Sequence, residues 1–206
     1  MNDQKIVADI TKRILLGESL EEIWLDYSNS KNYLKVLLEK FKVDPNIKDR
    51  HGNTALIYTS NTNNLDIAKL LLEHGADPNI KNEYGNTALY WASNNGHIDI
   101  AKLLLDHGAD PNIQNEYGDT ALHWASNNGH IDMAKLLLEH GANPNIQNKD
   151  GRTALHWASS KDNLDIVKLL LEHGANPNIK NEYGNTALQN AHTKEVKNLL
   201  KQYGAK

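Results

Sequence analysis

The sequence predicts an all-α solenoid in which helix-turn-helix units stack side by side and each unit projects a β-turn or hairpin tip. The first observation is a repeat of 33 residues that all five prolines follow. The second is a glycine ladder with the same step, which runs from Gly52 to Gly184. The third is the helical spacing of apolar residues within each unit. A fixed period of about 20–50 residues is typical of architectures in which stacked units bury one continuous core.

One unit, residues 82–114, shows how each element arises. Its Asn-Glu-Tyr-Gly start suits a type I β-turn, because Asn hydrogen-bonds its own backbone and Gly follows at the fourth position. Thr87 is a candidate N-cap for a short helix that ends near Gly96. A longer amphipathic helix follows and is closed by Gly108, and Pro111 prevents its continuation.

The repeat divides the chain into seven segments. Residues 1–15 are predicted to form an extra N-terminal helix. Residues 16–48 form a degenerate N-terminal capping repeat, in which Ser19 and Glu22 make a capping box. Residues 181–206 form a shortened C-terminal capping repeat, as expected where no further unit follows. The four full repeats are 49–81, 82–114, 115–147 and 148–180.

The block that begins each short helix resembles the ankyrin repeat. Three of these blocks are Gly85-Asn86-Thr87-Ala88-Leu89, Gly118-Asp119-Thr120-Ala121-Leu122-His123 and Gly151-Arg152-Thr153-Ala154-Leu155-His156. The resemblance covers residues 32–206, with Ala where the family's Thr-Pro-Leu-His block often has Pro. It implies an ankyrin-repeat solenoid. It also implies that His123 and His156 tie neighbouring loops together by hydrogen bonds.

The same resemblance implies a non-catalytic protein–protein interaction module that uses its tips and its short helices. Tyr84, Tyr117 and Tyr183 are third in their turns, where the architecture needs no large aromatic and interfaces favour tyrosine. The alternative that duplication copied a tolerated tyrosine stays open. The expected partner-binding residues are Glu83, Tyr84, Asn86, Asn94, Asn95, Glu116, Tyr117, Asp119, Asn127, Asn128, Lys149, Asp150, Arg152 and Tyr183.

A second aromatic row, Tyr58, Trp91, Trp124 and Trp157, follows the short helices at the repeat spacing. Packing between repeats is the default explanation for large aromatics in such positions. Two alternatives to protein binding stay open. In one, these four residues line a groove for a small molecule or a peptide, and in the other the array is purely a structural spacer.

The ten histidines do not indicate a metal site. Those that share one repeat position are separated by stacked helices about 8–10 Å apart, whereas zinc needs its nitrogens within about 2.1 Å. The sequence has no cysteine and none of the common nucleophile, phosphate-binding or dinucleotide motifs. We therefore predict no catalytic residue, no metal and no cofactor. The histidines in question are His74, His107, His140 and His173.

Charge and composition indicate the setting. Residues 49–189 carry 10 Lys and Arg against 17 Asp and Glu, which disfavours a nucleic-acid partner. Apolar runs of about five residues are far shorter than the roughly 20 that span a bilayer. We expect a monomeric cytoplasmic protein without a membrane partner. The 27 Asn and 19 Lys against 3 Arg are typical of AT-rich genomes, so delivery into a host cell as an effector is a further hypothesis.

Overall fold

The computed structural model describes residues 2–206, which form helices and turns without a β-strand in that range. The predicted all-α fold is confirmed. Met1 of the first predicted segment lies outside the described residues. The helices are α1 (Asp3–Leu15), α2 (Leu20–Tyr27), α3 (Lys31–Glu39), α4 (Ala55–Asn61), α5 (Leu65–Glu73), α6 (Ala88–Asn95), α7 (Ile98–Asp106), α8 (Ala121–Asn127), α9 (Ile131–Glu139), α10 (Ala154–Ser160), α11 (Leu164–Glu172), α12 (Ala187–Asn190) and α13 (Lys194–Gln202).

The helices stack in two rows. The short helices α4, α6, α8, α10 and α12 contact one another in that order and form the inner row. The helices α3, α5, α7, α9, α11 and α13 do the same and form the outer row. Helix α1 packs on α2 and α3 at the N-terminal end. Each helix pair contacts the next, as a solenoid requires, while the exact unit boundaries stay a prediction.

Local signals in the sequence fix where the helices begin and end. The Thr87 side chain accepts the backbone N–H of Tyr90 at the start of α6. Gly96 ends the same helix with a φ of 72°, a left-handed conformation that glycine adopts without a Cβ penalty. Ser19 and Glu22 form the predicted capping box of α2. The outer helices α5, α7, α9 and α11 end in histidines whose Nδ1 hydrogen-bonds a carbonyl oxygen four residues back.

The core runs without interruption along the stack. Leucines of the outer helices, such as Leu104 and Leu137, are fully buried. Alanines of the inner helices, such as Ala92 and Ala125, are also buried and let neighbouring inner helices approach closely. Among the helices of residues 2–206, none is both long enough and apolar enough to cross a membrane.

Candidate functional site

Five turns project from the stack, one before each inner helix from α4 to α12. We call residues 49–53, 82–86, 115–119, 148–152 and 181–185 fingers 1 to 5. The first residue of each finger fixes its shape. In finger 2, Asn82 Oδ1 accepts the backbone N–H groups of Tyr84 at 3.0 Å and Asn86 at 2.9 Å. In finger 1, Asp49 Oδ1 accepts the corresponding N–H groups of His51 and Asn53.

Hydrogen bonds also join each finger to the next. The backbone N–H of Glu116 in finger 3 donates to the carbonyl oxygen of Tyr84 in finger 2, at 3.0 Å. Between the same fingers, the Asn115 amide donates to Asn86 Oδ1 at 3.0 Å. The backbone link is also present at the three remaining junctions, between fingers 1 and 2, 3 and 4, and 4 and 5. The side-chain link is also present between fingers 1 and 2 and between fingers 3 and 4. The fingers are therefore fixed by their neighbours as well as by their own turns.

Two of the predicted contact residues belong to these links. Asn86 and Asp119 are only 8% and 5% exposed, and each accepts a hydrogen bond from the next finger. The prediction that they are exposed contact residues is wrong, because a polar side chain between two fingers is covered by the second one. Their role is structural, since a buried acceptor needs its donor.

The block histidines tie neighbouring fingers together, as predicted. His123 Nδ1 accepts the backbone N–H of Thr120, and its Nε2 hydrogen-bonds the carbonyl oxygen of Arg152 in the next finger, both at 3.1 Å. This pattern assigns the proton to Nε2 of a neutral ring. Burial lowers the pKa of His123 below its ordinary value, and it does the same for His156. His156 makes the equivalent pair of bonds one repeat later.

The third residue of each finger is its tip, and three tips are exposed tyrosines. The exposed fractions are 54% for Tyr84, 64% for Tyr117 and 74% for Tyr183. Asp150 occupies the tip of finger 4 and His51 that of finger 1. Beside the tips, the side chains of Glu83, Glu116 and Lys149 are exposed as well. Of the predicted finger residues, Glu83, Tyr84, Glu116, Tyr117, Lys149, Asp150 and Tyr183 are therefore exposed to solvent.

The predicted asparagines lie at the other end of the inner helices. Asn128 donates to the backbone carbonyl oxygen of Asn94 at 2.8 Å, and Asn95 makes the equivalent bond to Asn61. Because α6 extends over eight residues, this ladder lies about 10 Å along the helix from the fingers. Asn95 and Asn128 are exposed, whereas Asn94 and Asn127 are half-buried. Arg152, in finger 4, is half-buried.

The three tryptophans of the aromatic row pack together through Tyr90, without Tyr58. The Tyr90 ring lies edge-on to Trp91 and Trp124, with centroids 5.4 and 5.8 Å away. Trp124 and Trp157 are 5.7 Å apart. Sequence analysis missed Tyr90, although its place at the position of His123 marked it as an exception. These contacts favour the packing explanation, because aromatic pairs at such distances stabilise each other.

A cavity of about 250 Å³ lies between α2, α4 and finger 1. Leu25 is 38% exposed there, and it lines the same cavity as Tyr58. Sequence analysis missed this cavity. Its signal was Leu25, which lies 33 residues before Tyr58 and so occupies the tryptophan position of the later repeats. The lining residues are Leu25, Ser28, Asn29, Asp49, Asn53, Ala55, Tyr58 and Thr62.

Residues 2–206 hold no group of three or more His, Asp or Glu side chains suited to one metal ion.

The comparison with known proteins supports the repeat assignment. The family model described as "Ankyrin repeats (3 copies)" matches residues 25–115, 81–148, 107–181 and 141–206. No curated protein matches the chain.

A solved structure shows the same architecture. It is titled "Crystal Structure of EF0377 an Ankyrin Repeat Protein" and is 36% identical in sequence to this chain. The match covers 87% of this chain and 96% of the other, with a TM-score of 0.81. At this identity and coverage, the chain is similar to that protein in sequence as well as in fold.

Proposed function

Since the chain belongs to the ankyrin repeat family, whose repeats generally mediate protein binding, we propose that it binds a partner protein through its finger tips and the exposed ends of its inner helices. The family is typically non-catalytic. The hypotheses of a monomer, of a cytoplasmic location and of an effector delivered into a host cell stay predictions from the sequence.

The observation that carries the proposal is the row of exposed tyrosines on fingers 2, 3 and 5. An exposed tyrosine gives a rigid, amphipathic contact with few rotatable bonds, which is why interfaces are enriched in it. Tyr84, Tyr117 and Tyr183 are each more than half exposed, so packing inside the array does not explain these side chains. Their repetition gives a partner several equivalent anchors.

The hydrogen bonds between fingers support the same proposal energetically. A binding surface that is ordered before association loses less conformational entropy when the partner arrives. Here the backbone of Tyr84 and Tyr117 is fixed on one side by its own finger and on the other by the next finger. The tips of fingers 2 and 3 are therefore anchored where they leave the stack.

Burial revises the set of contact residues. Asn86 and Asp119 are removed from it, because they are used between fingers. The half-buried Asn94, Asn127 and Arg152 stay at the edge of the proposed surface. Its exposed members are Glu83, Tyr84, Asn95, Glu116, Tyr117, Asn128, Lys149, Asp150 and Tyr183.

Affinity capture from cell lysates tests the proposal. The full chain serves as bait beside a variant in which Tyr84, Tyr117 and Tyr183 are replaced by Ala. The matched control replaces three exposed lysines of the outer helices by Ala, because these also recur at one repeat position. The three control residues are Lys102, Lys135 and Lys168.

We expect the tyrosine variant to lose most of the captured partner, since anchor residues at interfaces cost about 2 kcal/mol or more when truncated. The lysine variant should capture as much partner as the unchanged chain. Equal capture by all three baits would refute the assignment of the tips. Loss with the lysine variant alone would place the contact on the outer helices.

A further inference from the structure

Finger 1 departs from the pattern of the other fingers at its first residue. Fingers 2 to 5 begin with Asn, whereas finger 1 begins with Asp49. In finger 2, the Asn82 amide nitrogen donates to Asn53 Oδ1 in the finger before it, at 2.8 Å. In residues 2–206 no finger precedes finger 1, so the acceptor that Asn82 uses has no counterpart there. A carboxylate oxygen occupies its place.

The Asp49 carboxylate lines the cavity beside finger 1. Asp49 Oδ2 accepts the hydroxyl of Tyr58, and both residues belong to the cavity wall. Leu25 and Ala55 supply apolar surface to the same wall. The cavity thus combines one carboxylate with an apolar and aromatic lining, and it opens to solvent where Tyr58 is 42% exposed.

The carboxylate is charged and keeps acceptor capacity. Partial burial alone raises the pKa of Asp49, but hydrogen bonds from the Tyr58 hydroxyl and from the backbone of Asn53 and His51 lower it below its ordinary value. An ionised carboxylate offers about four lone-pair positions. Three donors are assigned to Asp49, two on Oδ1 and one on Oδ2. Oδ2 therefore has one hydrogen-bond donor in the structure, the Tyr58 hydroxyl, against two on Oδ1.

We propose that this cavity receives a lysine or arginine side chain of the partner protein, with its cationic end on Asp49 and its aliphatic stem against Leu25 and Tyr58. The inference rests on the proposed function, because it places the cation on a bound protein. Long cationic side chains bury their stems on apolar surface while the charge binds a polar group. The lining matches both parts of such a side chain.

Size and charge both favour this occupant. The volume of about 250 Å³ is below the roughly 300–1,000 Å³ of sites that take drug-sized ligands, so one side chain fits better than a cofactor. The cavity has a single carboxylate, and residues 2–206 hold no group of three or more His, Asp or Glu side chains suited to one metal ion. The neighbouring cation of the chain itself, Arg50, hydrogen-bonds His51 through its Nε.

The test uses capped amino acids as probes and nuclear magnetic resonance of the full chain. The probes are N-acetyl-arginine methylamide, N-acetyl-lysine methylamide and the uncharged isostere N-acetyl-citrulline methylamide. We expect a cationic probe to shift the resonances of Leu25, Tyr58 and Thr62 with a dissociation constant of about 1–10 mM. The citrulline probe should leave the resonances of these three residues unshifted. The stronger of the two cationic probes identifies the preferred side chain.

Two variants serve as controls. Asp49→Asn removes the charge and installs the residue that fingers 2 to 5 already use, so the finger keeps its shape. It should weaken the cationic probes about tenfold or more. Leu25→Trp places an indole at the tryptophan position of the later repeats and should fill the cavity without changing its charge. It should remove probe binding as well.

Three outcomes would overturn the inference. They are equal binding of citrulline and arginine, unchanged binding by Asp49→Asn, and absence of shifts at the cavity with both cationic probes. None of these outcomes affects the capture experiment with the tyrosine variant, since Tyr84, Tyr117 and Tyr183 lie on other fingers. The inference and the proposed function therefore fail separately.

Discussion

Fingers 2, 3 and 4 have a neighbouring finger on both sides, whereas fingers 1 and 5 of the described chain each have a neighbour on one side. The sequence differs accordingly. Asn148 of finger 4 donates its amide to Asp119 of finger 3, while Asp49 of finger 1 has a carboxylate at the same position. Gly118 of finger 3 lies so close to finger 4 that a Cβ there would approach Lys149 N to 2.8 Å.

A neighbouring finger constrains residue type. At three of the four junctions, the first residue of a finger donates its side-chain amide to the finger before it. At all four junctions, a Cβ on the fourth residue would approach the backbone of the next finger to 2.8–3.0 Å. In residues 2–206 no finger precedes finger 1, and its first residue is Asp49. The backbone of each tip from finger 1 to finger 4 bonds the next finger, whereas the side chains of Tyr84, Tyr117 and Tyr183 are exposed on interior and end fingers alike.

Asn148→Asp has the largest expected effect on this comparison. It places a second carboxylate at about the 2.8 Å that now separates the Asn148 amide nitrogen from Asp119 Oδ1. Two buried like charges raise one pKa strongly and destabilise the folded state, by about 3 kcal/mol or more at pH 7. Urea unfolding measures the loss. The reverse change at the end, Asp49→Asn, should alter the free energy of unfolding by less than about 1 kcal/mol.

A pH series sharpens this prediction. Relative to the unchanged chain at the same pH, Asn148→Asp should recover stability between pH 7 and pH 4, because one carboxyl of the pair becomes protonated. A cost that is small at pH 7, or constant with pH, would mean that fingers 3 and 4 are looser than the structure shows.

The two glycines Gly118 and Gly184 form a matched pair. Both have a left-handed φ, 79° and 78°, so alanine meets the same backbone penalty of about 1–2 kcal/mol at each site. A Cβ at Gly118 also meets the backbone of finger 4, whereas at Gly184 no atom of residues 2–206 beyond its chain neighbours lies within 4 Å. Gly118→Ala should therefore cost about 2–4 kcal/mol and Gly184→Ala about 1 kcal/mol in chemical unfolding. Equal costs would contradict the close contact.

The block histidines give the array a pH dependence. Burial lowers the pKa of His123 and His156 in the folded chain, so below about pH 6.5 the unfolded chain takes up protons that the folded chain does not. The contribution of these two histidines to the free energy of unfolding is therefore fully present above that pH and is lost as the pH falls. The free energy of unfolding should therefore fall below about pH 6.5, by at most about 1.4 kcal/mol per pH unit for each of the two residues.

A double variant checks the assignment. Gln189 occupies the histidine position of the last unit and makes the same capping contact with Thr186. His123→Gln with His156→Gln should therefore keep the caps and flatten the pH dependence, at the cost of the bonds between fingers. An unchanged slope in this variant would assign the pH dependence to other groups.

The tips should show the smallest effect on stability. Replacing Tyr84, Tyr117 or Tyr183 by Ala should change the free energy of unfolding by less than about 0.5 kcal/mol per site, because more than half of each side chain is exposed. Thermal unfolding of the three single variants measures this. A loss above about 1 kcal/mol at Tyr117 would mean that the ring supports its finger.

The fold was predictable from the sequence because its signals are local and repeated. Thr87, Gly96 and Gly108 each act within their own turn or helix end, so reading one unit predicted all of them. The bridging role of His123 followed from the family resemblance. Its partner, the carbonyl oxygen of Arg152, lies 29 residues away but recurs with the same period.

The candidate site was harder to predict because exposure depends on contacts between units. Asn86 and Asp119 look like surface residues in the sequence, and only the next finger buries them. The cavity depends on what is missing around Leu25 and Asp49, which a pattern of repeats does not display. For the cavity, the available signal in the sequence was that Leu25 and Asp49 differ from the residues at the same positions of later repeats.

The central claim is that the finger tips contact the partner. Site-specific photo-crosslinking tests it most directly. A benzoyl-phenylalanine is introduced in place of Tyr117 at a tip or, as a control, in place of Lys135 on α9, and each chain is irradiated in the lysate used for capture. The account predicts a crosslinked partner from position 117 and little or none from position 135. Crosslinking from position 135, or from both positions equally, would contradict it.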